Sequence, residues 1–145
     1  MGTNDNKIID NYIVNKLKKT LTNSYSPYSN FKVSALIETN DGNMFSGVNV
    51  ENCSYMYGSC AETTALAKMV SSGYTKYDIN KLYIMVDKIE ESTPCFLCRQ
   101  WISEFMMPDN EVICMGNTGK YKIYKVKELC PHTFGREDLD EGRVN

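Results

Sequence analysis

No apolar run in this sequence approaches the length of a bilayer span, and its first residues, Met1-Gly2-Thr3-Asn4-Asp5, hold no signal-peptide stretch. Asn6 stands where N-myristoylation wants Ser or Thr. No membrane association is expected, and the cytoplasm is the default compartment. An excess of positive charge is missing too: a formal net charge of -2 leaves no broad surface for phosphates. Lysines near Lys16–Lys19 and Lys120–Lys127 alternate with apolar residues and read as solvated faces of a helix and a strand, so nucleic acid is not an expected partner. There are no internal repeats or low-complexity segments. Histidine is all but absent, and its one representative, His132, is expected in a surface loop rather than on a metal.

What remains has the make-up of an ordinary globular protein. At 145 residues, with 42% hydrophobic and 23% charged side chains, the chain can bury a core without disulfide staples and reads as one domain over residues 1–145. Six cysteines could form three bridges, but a reducing compartment and a Cys-x-x-Cys spacing favour free thiols and metal ligation. Cys53, Cys114 and Cys130 lie outside that spacing and are expected as small packing residues, with Trp101 in the core.

Ile8, Ile9, Tyr12, Ile13, Leu17 and Leu21 recur at helical spacing, predicting an amphipathic helix from about Asp5 to Thr22. Val33, Ala35 and Ile37 then alternate with their neighbours, and Asp41-Gly42 is a two-residue turn signal before Met44 to Glu51, so a hairpin follows. Ser59 to Ser72 reads as a helix between a Ser cap and Gly73, and Lys81 to Asp87 as a strand. A further helix runs from Pro94 to about Met106, with strands at Glu111–Met115 and Tyr121–Val126 around Gly116-Asn117-Thr118-Gly119. The order α-β-β-α-β-α-β-β with a short helical tail predicts an α/β fold: one five-stranded mixed sheet flanked by helices.

Two separated segments, Ser59-Cys60-Ala61-Glu62 and Thr93-Pro94-Cys95-Phe96-Leu97-Cys98, supply three thiols and a carboxylate. If Pro94 opens a helix, Cys95 and Cys98 project from one face of its first turn and can grip one metal ion. A third thiolate from Cys60 leaves tetrahedral zinc an open position for water, the arrangement of a catalytic site, and Glu62 is placed to handle protons. Three thiolates give such a site a formal charge of about -1, an excess that two helix dipoles aimed at the sulfurs oppose. Two plainer readings compete. Ser59-x-x-Glu62 matches a capping box, and Cys95-x-x-Cys98 matches a redox dithiol. Neither explains why Cys60 should accompany the pair.

Three more segments complete a pattern: Ser26-Pro27-Tyr28-Ser29-Asn30-Phe31-Lys32-Val33, Gly47-Val48-Asn49-Val50-Glu51-Asn52 and Pro131-His132-Thr133-Phe134-Gly135. With all five motifs in order, the chain resembles the small zinc-dependent cytidine deaminases over nearly its whole length. The resemblance implies a cytidine deaminase-like three-layer α/β/α domain, with one Zn²⁺ per subunit on Cys60, Cys95 and Cys98. It also implies hydrolytic removal of the 4-amino group of cytidine or 2′-deoxycytidine, a step of pyrimidine salvage. Glu62 would be the catalytic base and then acid. Asn49 and Glu51, which share a face of the second hairpin strand while Val48 and Val50 point to the core, would bind the ribose. Phe31 would stack on the pyrimidine and Ala61 would lie against the substrate. Tyr55 and Phe134 match positions that relatives contribute to a neighbouring subunit's pocket, which implies a homotetramer with shared active sites. All three aromatics have a competing role as packing residues.

The chain departs from that family's pattern in three places. Thr63 replaces an arginine that offsets the site's negative charge in relatives; its hydroxyl is expected to supply part of that effect, with Arg99 as a substitute cation. Phe96-Leu97 replaces a small Gly-Ala pair, so its bulk must point away or reshape the pocket. Arg136 stands in place of a proline. Two rival functions follow: a deaminase of a related aminonucleoside such as blasticidin S, and a zinc-binding nucleoside-binding protein with impaired catalysis.

Overall fold

Asp10 opens the first helix by accepting a hydrogen bond from the Tyr12 N–H at 2.9 Å, and α1 spans Asn11–Leu21. Ile13, Leu17 and Leu21 form its buried stripe. The computed structural model describes residues 9–140, so residues 5–8 of the predicted first helix lie outside the described residues, while Ile9 and Asp10 precede the helix.

Five strands, β1 (Val33–Thr39), β2 (Met44–Val48), β3 (Ile79–Val86), β4 (Glu111–Met115) and β5 (Tyr121–Lys125), pair in the order β2-β1-β3-β4-β5. Only β3 and β4 are parallel, as their connection through a helix requires. Period-two alternation sends Ala35, Ile37, Leu82 and Ile84 to one face, against α2 (Ala61–Ser71) and α3 (Phe96–Phe105). Leu36, Tyr83, Met85 and Ile113 go to the other face, against α1. The result is the expected three-layer α/β/α arrangement, completed by the short helices α4 (Val126–Leu129) and α5 (Arg136–Asp140). No helix among the described residues is long and apolar enough to cross a membrane.

The structure corrects several local expectations. The β1–β2 connection uses residues 40–43 rather than two residues. Asp41 accepts from the Thr39 hydroxyl and the Asn43 N–H, and Gly42 takes a φ of +88°. β2 ends at Val48, and Val50 is 43% exposed instead of facing the core, because its backbone turns to bridge Tyr25 and Ser59. Cys53 is exposed, in the loop before a 3-10 turn at Tyr55–Tyr57, whereas Cys114 is buried and Cys130 half-buried. His132 is exposed, and Trp101 is half-buried against the core.

β2 and α2 touch backbone to backbone. A Cβ at Gly47 would lie 2.5 Å from the Ala61 carbonyl oxygen and 2.6 Å from the Ala65 nitrogen, so only glycine allows this approach. That contact sets the first turn of α2, where the thiol and carboxylate of the first segment sit.

Candidate active site

Cys60 is the N-cap of α2 and Cys95 the N-cap of α3, and neither side chain makes a capping bond; Cys98 lies in the first turn of α3. Pro94 therefore precedes the cap rather than opening the helix. The three sulfurs converge, with Cys60 and Cys95 3.8 Å apart, Cys95 and Cys98 3.4 Å apart, and all three within 4.8 Å of one another. Tetrahedral zinc with Zn–S bonds of about 2.3 Å spaces its sulfurs roughly 3.8 Å apart, so the donor set fits the ion. Both helices point the positive ends of their dipoles at the cluster. The Cys60 thiol is lowered to about 7, chiefly by a hydrogen bond from Cys98, while Cys98 is pushed up by the same contact and by burial.

Glu62 is 4% exposed and borders the same cavity as Cys60 and Cys95. Burial raises its pKa above the ordinary value, so it can hold a proton longer than a solvated carboxylate. The capping box does not form. With Cys60 as the cap, Glu62 occupies the second helical position, and the Ser59 hydroxyl instead contacts the hydroxyls of Thr63 and Thr64, each at 3.0 Å.

A cavity of about 600 Å³ opens over these groups. Phe31, Asn49, Glu51, Tyr55 and Ala61 all line it, so the fold brings five of the six expected substrate residues to Cys60 and Glu62. Phe134 is elsewhere: its carbonyl accepts from Gln100 Nε2 at 2.9 Å, and it borders a separate groove with Tyr74 and Met107. Asn49 and Glu51 lie just past β2 rather than within it. Their side chains also hold the preceding loop. Asn49 Oδ1 accepts from the Val33 N–H at 2.9 Å and from the Ser24 hydroxyl, and Nδ2 donates to the Phe31 carbonyl at 2.7 Å. Glu51 accepts from the N–H groups of Tyr28 and Ser29 at 2.9 and 3.1 Å and from the Ser29 hydroxyl, contacts that lower its pKa, the hydroxyl most.

Neither of the two residues expected to substitute for the missing arginine donates a hydrogen bond to a sulfur of the cluster. Thr63 Oγ1 donates to the Cys60 carbonyl at 2.9 Å, not to a sulfur. Arg99 donates to the Pro94 and Leu129 carbonyls and to Thr93 Oγ1, with its guanidinium 4.6 Å from the Phe96 ring centre. Its donors go to backbone and hydroxyl oxygens. Phe96 is 79% exposed and turned away from the cavity, whereas Leu97 lies on the cavity's edge. Leu97 thus takes the second of the two places expected for the Phe96-Leu97 bulk, and Ser24 and Ser29 support Asn49 and Glu51 without having been expected at the site. Ser29 lies inside the quoted Ser26–Val33 motif, and its place there was the available signal.

Sheet, helices and cluster define a class: a three-layer α/β/α protein in which two helix N-termini present three thiols that could hold a metal ion. Residues 7–115 match the family model described as "Cytidine and deoxycytidylate deaminase zinc-binding region". The chain is 37% identical over 123 residues to a cytidine deaminase of Mycoplasma genitalium, an alignment covering 85% of this chain and 93% of the relative. A crystal structure of cytidine deaminase from Burkholderia pseudomallei superposes with a TM-score of 0.82 at 34% identity, covering 88% of this chain and 100% of that one. A blasticidin-S deaminase of Bacillus cereus is 31% identical over 110 residues, covering 72% of this chain and 77% of the relative. This chain belongs to the cytidine and deoxycytidylate deaminase zinc-binding family.

Proposed function

We propose that this protein is a zinc-dependent cytidine deaminase that converts cytidine or 2′-deoxycytidine and water to the uracil nucleoside and ammonia. The observation that carries the reading is a cluster of three cysteine sulfurs, two of which (Cys60 and Cys95) line the same cavity as the buried carboxylate of Glu62. When bound by Cys60, Cys95 and Cys98, zinc supplies Lewis-acid activation of a water molecule. Glu62 takes one proton of the attacking water and delivers it to ring N3 of the base; it then takes the remaining proton of the new C4 hydroxyl and passes it to the 4-amino group, so that the carbonyl forms as ammonia leaves. A carboxyl whose proton affinity is raised by burial suits this shuttle, since it must both accept and give a proton near neutrality.

Phe31 and Ala61 both line the cavity, Phe31 offering its ring to the pyrimidine and Ala61 lying against the base. Glu51 and Asn49 receive the sugar. Asn49 keeps one Nδ2 hydrogen for a substrate oxygen after its bond to Phe31, and Glu51 Oε2 retains accepting capacity after its bond to Ser29. Around the cavity mouth, Tyr55, Met56 and Leu97 are 81%, 91% and 60% exposed, an apolar rim suited to burial against a second copy. Phe134 entering a neighbour's pocket within a homotetramer fits its place away from its own chain's cavity, whereas Tyr55 lines its own and would reach a neighbour only from that rim.

The test is turnover of zinc-loaded protein on cytidine, 2′-deoxycytidine and blasticidin S, followed by loss of substrate absorbance, with oligomeric mass measured in parallel. Cytidine or deoxycytidine should be consumed and single-stranded DNA should not compete. Consumption of blasticidin S alone would transfer the assignment to the rival deaminase. Binding without turnover would leave only a nucleoside-binding protein.

A further inference from the structure

Residues 87–94, between β3 and α3, form neither helix nor strand, yet Ser92, Thr93 and Pro94 wall the cavity and the stretch ends at Cys95. Its placement must come from specific contacts, and the β4–β5 hairpin makes most of them. The Asn117 N–H donates to the Lys88 carbonyl at 2.8 Å. Gly116 lies so close beneath that a Cβ there would stand 2.0 Å from the Ile89 carbonyl oxygen. Two lysines of the same hairpin then pair with the loop, Lys120 with Glu90 at 2.8 Å and Lys122 with Glu91 at 3.0 Å.

These ion pairs differ in a way that matters. The Glu90 side chain is 60% exposed, so water screens its pair. The Glu91 side chain is only 9% exposed, and its Oε2 has no hydrogen-bond partner among the described residues. A carboxylate so far out of water is costly unless a cation compensates it, and Lys122 is the cation paired with it. The Lys122 hydrogen bond holds the Glu91 carboxyl below its ordinary value and keeps it charged.

We propose that Glu91, through its ion pair with Lys122, is a positioning residue for the metal site, fixing the Ser92–Pro94 wall and thereby the Cys95 sulfur opposite those of Cys60 and Cys98. The inference rests on the zinc reading of that cluster. Residues that orient metal ligands typically change metal affinity by about 10–100-fold when replaced, and Glu91 acts one step further out, so the lower end is expected.

Zinc-loaded full-length chain is challenged with a chromogenic zinc chelator, and the release rate is read beside the thermal midpoint. Glu91→Gln should release zinc about 10-fold faster. The midpoint of the metal-free chain should not fall, because a neutral amide costs less to bury than a carboxylate; a merely structural role would speed release and lower that midpoint together. Lys122→Gln should reproduce the fast release, Lys122→Arg should restore the wild-type rate, and Glu90→Gln should leave it unchanged. Wild-type release rates in both Glu91→Gln and Lys122→Gln would overturn the proposal, as would an equal effect of Glu90→Gln. A wild-type chain that holds zinc but deaminates nothing sinks the enzymatic reading instead, and the release rates still decide the role of Glu91.

Discussion

Replacing Gly47 with alanine adds one methyl group on a residue that does not line the cavity, and it should nonetheless disable the site. The new Cβ would lie 2.5 Å from the Ala61 carbonyl oxygen, roughly 0.9 Å inside the 3.4 Å at which ordinary contact begins. Backbone forms both nearest contacts, at Ala61 and Ala65, so no side chain can swing aside and the first turn of α2 must withdraw. That turn carries Glu62, and its cap is Cys60. Overpacking of this kind costs about 1–3 kcal/mol, which for a domain of this size lowers the thermal midpoint by about 3–10 °C. A displacement approaching 1 Å at a catalytic group costs on the order of 100-fold in rate. Thermal unfolding, zinc content and kcat/KM on cytidine should be measured together, and Gly47→Ala should lose rate out of proportion to stability. A variant with wild-type midpoint and kcat/KM would show that the β2–α2 contact does not position the site.

In metal-free protein, the Cys60 thiol, lowered to about 7 by its contact with Cys98, should be alkylated by iodoacetamide with a rate that rises through that pH, while buried Cys98 stays protected. Peptide mass spectrometry after brief labelling reads this out, and preferential labelling of Cys98 would contradict it. Glu62 makes a stability prediction. Burial raises its folded pKa above the ordinary 4.5, so the folded metal-free chain binds more protons than the unfolded one between those values, and stability is lost as pH rises through that window. Metal-free Glu62→Gln lacks this loss and should unfold at a higher temperature than wild type at pH 7, with the gap closing toward pH 4. A gap that does not change with pH would rule out the buried carboxylate as its source.

Strand alternation made the sheet legible in advance: Ala35 and Ile37 against Leu36 already separate the two faces that pack on α2 and on α1. The thiol cluster was legible for a similar reason. An i,i+3 pair at a helix start fixes two sulfurs locally, and only the arrival of Cys60 required the tertiary fold. Less could be read where backbone leaves regular structure. Val50 looks like a strand residue, but the chain bends after Val48 to bridge Tyr25 and Ser59, which turns its side chain outward. Ser59 looks like a cap, but its hydroxyl is spent on Thr63 and Thr64. Arg99 looks like a neutralising cation, and no local pattern announces that three of its N–H groups are held by two carbonyls and a hydroxyl. Glu91 gave no signal at all, because its burial depends on Lys122, a residue of the edge strand thirty-one positions later.

The most direct measurement is ammonia released from cytidine by zinc-loaded protein, with wild type and Glu62→Gln compared at equal metal content. One zinc per chain in both, with deamination by wild type and a loss of on the order of 100-fold or more in the variant, is the expected result. Equal rates in the two proteins, or one zinc per chain with no ammonia from either, would contradict the pairing of a three-thiol metal site with Glu62 as its proton carrier.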